Sequence, residues 1–102
     1  MKRLPMRMNE FATQAAAYRE AKGFTTSWDN MPEKLMLVVT EVSEAMEAYR
    51  HNDRQNFNEE IADTVIRCLD ICGSLGIDIE AEITAKMEKN AGRAYKHGGK
   101  VC

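Results

Sequence analysis

Apolar residues recur every three to four positions in four successive segments of this chain, and strict alternation of apolar and polar residues appears in none. That periodicity restricts the fold more than any other feature. It predicts helices packed on helices and leaves no material for a sheet. The first segment runs from about Asn9 to Lys22, with Asn9 as its cap and Gly23 as a left-handed stop. The second begins at Asn30, where Glu33 three residues on suggests a capping box and Pro32 suits the first turn, and runs to about Arg50. "HNDRQN" breaks the pattern; the third segment runs from about Phe57 to Leu75 and stops at Gly76. Asp78 caps the fourth, which runs to about Tyr95. Short links between the second, third and fourth segments favour antiparallel neighbours. The expected architecture is all-α, a four-helix bundle in one domain over residues 1–102, with 1–8 and 96–102 as tails.

At 102 residues with 44% hydrophobic content, such a bundle has only a thin core, and self-association would help it. Net charge is −2, which gives no electrostatic footprint for nucleic acid. The longest apolar run, "LMLVV", is too short for a bilayer, and "MKRLPMRMNE" lacks the apolar stretch of a secretory signal. Cys68, Cys72 and Cys102 show no metal-binding spacing and read as free thiols, so a cytoplasmic protein is expected. Charge is unevenly spread: residues 41–82 carry eleven acids against three bases, and residues 83–102 carry five bases against one acid.

The acids are placed unusually. In "LVVTEVSEAMEAYR", Leu35, Val38, Val39, Val42, Ala45, Met46 and Tyr49 form the expected core face. Glu41 and Glu44 lie beside it, in a stripe with Leu37 and Ala48 where a solvated face would carry Lys, Gln or Arg. In "NEEIADTVIRCLD" the apolar arc of Ile61, Ala62, Val65, Ile66, Cys68, Leu69 and Cys72 is wide enough to pack on two sides. Glu60, Asp63, Arg67 and Asp70 occupy what remains, a face that by itself reads as wet.

Residues three apart share a helix face, so two acid pairs on neighbouring helices can bring four carboxylates together. Like charges about 5 Å apart repel by roughly 3 kcal/mol at an effective dielectric of 20. Partly buried, such a group must take up protons or a cation. Neither His51 nor His97 stands at the Glu-x-x-His spacing of di-iron bundles, and the thiols lie on the apolar side, so an all-oxygen Mg²⁺ or Mn²⁺ site fits best. In the fourth segment Lys86, Asn90 and Arg93 stand in line at i, i+4 and i+7, a plausible phosphate grip or else a solvated basic turn at a helix end. Phe24 and Trp28 lie just before the second helix, where one of them can stack on a base or close the end of the core.

"EVSE", followed fifteen residues later by "EIAD" and then by "KMEKNAGRAYKHGGK", resembles the MazG-like, all-α nucleoside triphosphate pyrophosphohydrolases over about residues 28–100. The resemblance implies a four-helix core in a homodimer or homotetramer and a divalent metal held by Glu41, Glu44, Glu60 and Asp63. It also implies phosphate contacts from Lys86 and Asn90, with Arg93 less securely placed. Such proteins cleave a (d)NTP between the α- and β-phosphates to the monophosphate and pyrophosphate. Glu44 or Glu60 would orient or deprotonate the water, and the sequence does not choose between them. Unlike the two-module bacterial MazG proteins, this chain is one short module, and base-recognition residues vary across the family. Two other functions fit the same residues: a non-catalytic helical dimerisation module holding a structural cation, and a related pyrophosphohydrolase acting on phosphoribosyl-ATP or dUTP.

Overall fold

A computed structural model describes residues 6–93; of the expected tails 1–8 and 96–102, residues 1–5 and 96–102 lie outside them, as does the expected end of the fourth helix at Tyr95. The chain forms α1 (Met8–Ala21), a 3-10 turn (Trp28–Asn30), α2 (Met31–Arg50), α3 (Arg54–Leu75) and α4 (Ile79–Ala91), with no strand among the described residues. The all-α expectation holds.

Local chemistry sets the boundaries. Asp53 accepts the Asn56 N–H at 3.1 Å, so α3 starts inside "HNDRQN", three residues before Phe57. Gly76 ends it at φ +70°, a conformation that costs glycine nothing. Asp78 accepts the Ala81 N–H at 3.0 Å and starts α4. Two capping expectations need correction. Asn30 makes no box with Glu33; its Oδ1 accepts the Ser27 N–H at 2.9 Å and its Nδ2 donates to the Thr25 carbonyl at 2.7 Å, which shapes the turn before α2. Asn9 does not cap its own helix. Its Oδ1 accepts the Ile79 N–H at 3.0 Å and its Nδ2 donates to Asp78 Oδ1 at 2.8 Å, so it tethers α1 to the start of α4. The Asn9 amide and the Ala81 N–H together hold the Asp78 carboxyl below the usual carboxylate range.

The third helix is the centre of the fold, packed against α1 on one side and α2 on the other. Helix α3 thus has two neighbours within one chain, but the expected apolar arc does not make both contacts: of its residues only Leu69 and Cys72 are buried. The link between α2 and α3 is His51–Asp53, so these helices form an antiparallel hairpin. The expected pairing of α3 with α4 is not found at comparable extent: α4 meets the rest of the fold mainly at α1. Ala12, Leu69 and Cys72 form the buried cluster, with Ala15 and Ile79 against it. Burial pushes the Cys72 thiol upward, while Cys68 is exposed; both are free.

The faces of α2 differ most from expectation. Its buried residues are Met31, Lys34, Glu41, Ala45 and Ala48, whereas Leu35, Val39, Val42, Met46 and Tyr49 are all more than half exposed. The stripe containing Glu41 faces α3, and most of the expected core stripe faces out. On α3, Ile61, Val65 and Ile66 are exposed too, while Asp70 is buried and accepts the Thr26 hydroxyl at 2.7 Å. The physical reason is that α2 meets α3 through their charged faces. Glu41 is paired with Arg67 there, and a buried charge persists when it is paired. No side chain in the described chain is fully sealed from solvent, and the apolar stripes remain unpartnered within the protomer.

Candidate functional site

Turning the charged faces of α2 and α3 toward each other brings the acids together. Oxygens of Glu41, Glu60 and Asp63 all lie within 4.8 Å of one another. Glu41 is buried, Glu60 half-buried and Asp63 exposed, so the group grades from the helix interface to solvent. Glu44, the fourth expected acid, is exposed and outside this triad, but it sits against Glu60. The Glu60 carboxyl is pushed up to about 7, chiefly because it must share a proton with Glu44; its desolvation and the charges of Glu44 and Glu41 act in the same direction. Its Oε2 is sequestered from solvent and accepts no hydrogen bond. A buried oxygen lacking a donor, inside a set of oxygen-only ligands, matches a hard divalent cation better than zinc, which prefers His or Cys.

Glu41 and Asp63 of the triad line a cavity of about 510 Å³ between α1 and α3, while Glu60 lines a separate depression with Glu44, Glu47 and His51. Glu41, Asp63, Ile66, Arg67, Leu69 and Asp70 form one side, and Phe11, Gln14, Ala15, Tyr18 and Arg19 of α1 form the other. Arg67 Nη2 stands 3.5 Å from Glu41 Oε1. The cavity therefore has three carboxylates and two guanidinium groups in its lining and two aromatic rings on its wall. That combination suits a ligand with an anionic part reached through a cation and a planar part that stacks.

The remaining expected residues are elsewhere. Trp28 is 76% exposed in the 3-10 turn, and Phe24 lies under the Arg19 guanidinium at 4.3 Å; neither lines this cavity. Lys86 and Asn90 are exposed on α4 and Arg93 is exposed just beyond it, and none of the three lines this cavity. Sequence inspection missed Phe11, Tyr18, Arg19 and Arg67 as site residues. Only Arg67 carried a signal, standing one turn after Asp63 on the acid-bearing face.

The elevated Glu60 carboxyl yields a pH prediction. A carboxyl raised in the fold binds its proton more tightly than the unfolded chain does. Its stabilising contribution is therefore present below about pH 4.5 and is lost as pH rises through about 7. In EDTA, Glu60→Gln is expected to melt at the same temperature as the parent near pH 4.5 and above it at pH 8. A difference that does not grow with pH in thermal scans would refute the crowding of these carboxyls.

No helix among the described residues is long and apolar enough to cross a membrane. No curated protein and no solved structure gives a significant match to the chain. The model of the MazG-like family matches residues 33–100, two thirds of the sequence, including both acid pairs and the basic row. The chain belongs to the MazG-like family.

Proposed function

We propose that this protein is a metal-dependent nucleoside triphosphate pyrophosphohydrolase, converting a (d)NTP and water to the monophosphate and pyrophosphate. The observation that carries this reading is the convergence of Glu41, Glu60 and Asp63, two of which, Glu41 and Asp63, also line an aromatic-walled cavity. Family membership supports a pyrophosphohydrolase-type chemistry.

Glu41, Glu60 and Asp63 would hold Mg²⁺ or Mn²⁺, with Glu44 completing the set from beside Glu60. When bound, such an ion neutralises charge growing on phosphate oxygens and lowers the pKa of water. The residues of the chain supply the rest. Glu44, the acid least committed to the triad, orients the attacking water and takes its proton. Glu60 yields its own proton as the site is loaded. Phe11 and Tyr18 offer faces for the base, a role that passes to them because Phe24 is covered by Arg19 and Trp28 stands off the cavity.

The proposal includes a homodimer or higher homo-oligomer. Leu35, Val39, Val42, Met46 and Tyr49 of α2 with Ile61 and Val65 of α3 make an apolar surface that a monomer in water would not ordinarily leave open. A second copy would cover it, and Lys86, Asn90 and Arg93 would then serve phosphates across the contact between copies.

Incubation with Mg²⁺ and each (d)NTP, followed by separation of the nucleotides and assay of pyrophosphate, tests the reaction. Monophosphate and pyrophosphate in equal amounts are expected, abolished by EDTA. Release of orthophosphate would place the cut elsewhere. Metal binding with no turnover of any nucleotide would favour a structural cation in a dimerisation module.

A further inference from the structure

We propose that Arg67 is a switching residue that neutralises Glu41 in the metal-free site and passes to the triphosphate when a divalent cation takes Glu41. This inference rests on the metal-dependent reading above. Arg67 stands one helical turn after Asp63, so both project from the same face of α3. Its Nη2 lies 3.5 Å from Glu41 Oε1, and Glu41 also belongs to the triad whose oxygens lie within 4.8 Å of one another. Arginine and the expected cation are therefore rivals for one carboxylate.

The geometry favours an exchange over a permanent lock. A charge-assisted N–H···O bond settles at about 2.7–2.9 Å, shorter than the observed pair. Among the described residues, no other hydrogen bond or ion pair engages the Arg67 guanidinium, which leaves most of its donors free. The Arg67 side chain is 25% exposed and lines the cavity together with Glu41, Phe11 and Tyr18. A dication on Glu41 cancels the attraction that holds Arg67 there and adds a repulsion. The fork-shaped guanidinium then faces a cavity where phosphate oxygens would lie, and it matches them two at a time. Lysines cannot make that match, and none lines this cavity.

The two halves of the exchange predict effects of opposite sign. Calorimetric titration of Mn²⁺ alone, and then of an α,β-non-hydrolysable triphosphate into the Mn²⁺-loaded protein, reads both. Arg67→Gln is expected to bind Mn²⁺ alone about tenfold more tightly, because a repelling charge is gone. It is expected to bind the triphosphate about tenfold or more weakly, because a charged hydrogen-bond partner is lost. Arg67→Lys keeps the charge and loses the fork, so its Mn²⁺ affinity stays near the parent's while its triphosphate affinity falls. Circular dichroism confirms that each variant is helical, and the lysine variant carries the test if the glutamine variant does not fold. Unchanged or weaker Mn²⁺ binding by Arg67→Gln, or unchanged triphosphate binding by both variants, overturns the exchange while leaving the metal site intact. A parent protein that binds no Mn²⁺ removes the metal reading itself, and this inference with it.

Discussion

Asp63→Ala is expected to lower metal-dependent turnover by about a thousandfold, corresponding to about 4 kcal/mol of lost transition-state stabilisation. The size follows from the metal-holding role proposed for the three carboxylates, whose oxygens lie within 4.8 Å of one another. A dication held by them would offset their repulsion and supply charge to phosphate, and loss of one ligand would weaken both effects together. Glu41→Ala is expected to cost as much, but it also strips Arg67 of its partner. Asp63 is exposed and is the cleaner probe. The informative comparison is with stability. In EDTA at pH 8 the Asp63→Ala protein should melt no lower than the parent, because one of three mutually repelling charges has been removed. Lost activity with retained or raised melting temperature identifies a residue kept for chemistry. Turnover within tenfold of the parent would exclude Asp63 as a ligand. Glu44→Gln, in parallel, separates roles: retained metal affinity with slow turnover fits a residue acting on water, whereas lost metal affinity makes Glu44 a ligand.

How much of this could be read from the chain itself depends on the scale of each interaction. Helix existence was legible because each signal is local. Gly76, Asp78 and Pro32 act within one turn of where they stand, and α2, the end of α3 and the start of α4 fall close to the expected places, whereas α4 ends at Ala91, before the expected Tyr95. Asn9 shows the limit. Its side chain suits a helix start, and it does serve one, but at α4, about 70 residues away. Which start it serves depends on how α1 crosses the fold. The orientation of α2 was less legible for a related reason. Periodicity identifies an apolar stripe but not what it meets. Leu35, Val39 and Val42 were expected in the protomer core and instead face outward, since the acid-bearing stripe takes the contact with α3. The same acids gave the one local hint of that arrangement, because Glu41 and Glu44 share a stripe with Leu37 and Ala48. The convergence of Glu41, Glu60 and Asp63 follows the expected pairing of i, i+3 acids on neighbouring helices. The aromatic wall had no such signature. Phe11 and Tyr18 look like ordinary amphipathic positions until α1 is laid along α3, which opens the cavity they line.

That packing of α1 on α3 depends on one glycine, and Gly73→Ala is expected to destabilise the protein by about 2–3 kcal/mol, the upper part of the range for overpacking. On propensity alone the change should help, since alanine in a helix interior is favoured over glycine by about 1 kcal/mol. The contact decides the sign. A Cβ at Gly73 would fall on the Ala12 backbone carbonyl and 2.9 Å from Ala16 Cβ. A carbonyl inside a helix cannot rotate away as a side-chain tip can, so α1 as a whole must move out. Ala12 is 3% exposed and belongs to a buried cluster of only three residues, with Leu69 and Cys72, which has little material to repack. Against a typical total of about 5–15 kcal/mol, this loss is large, and chemical denaturation with a well-defined slope would measure it. Displacement of α1 also moves Phe11, Tyr18 and Arg19, while Glu41, Glu60 and Asp63 stay on α2 and α3. The variant should therefore keep most of its Mn²⁺ affinity at low temperature and lose much more of its affinity for a non-hydrolysable triphosphate. A Gly73→Ala protein that melts higher than the parent would show that helix propensity outweighs the contact. It would also mean that the cavity wall is not set by close approach of α1 to α3 at this position.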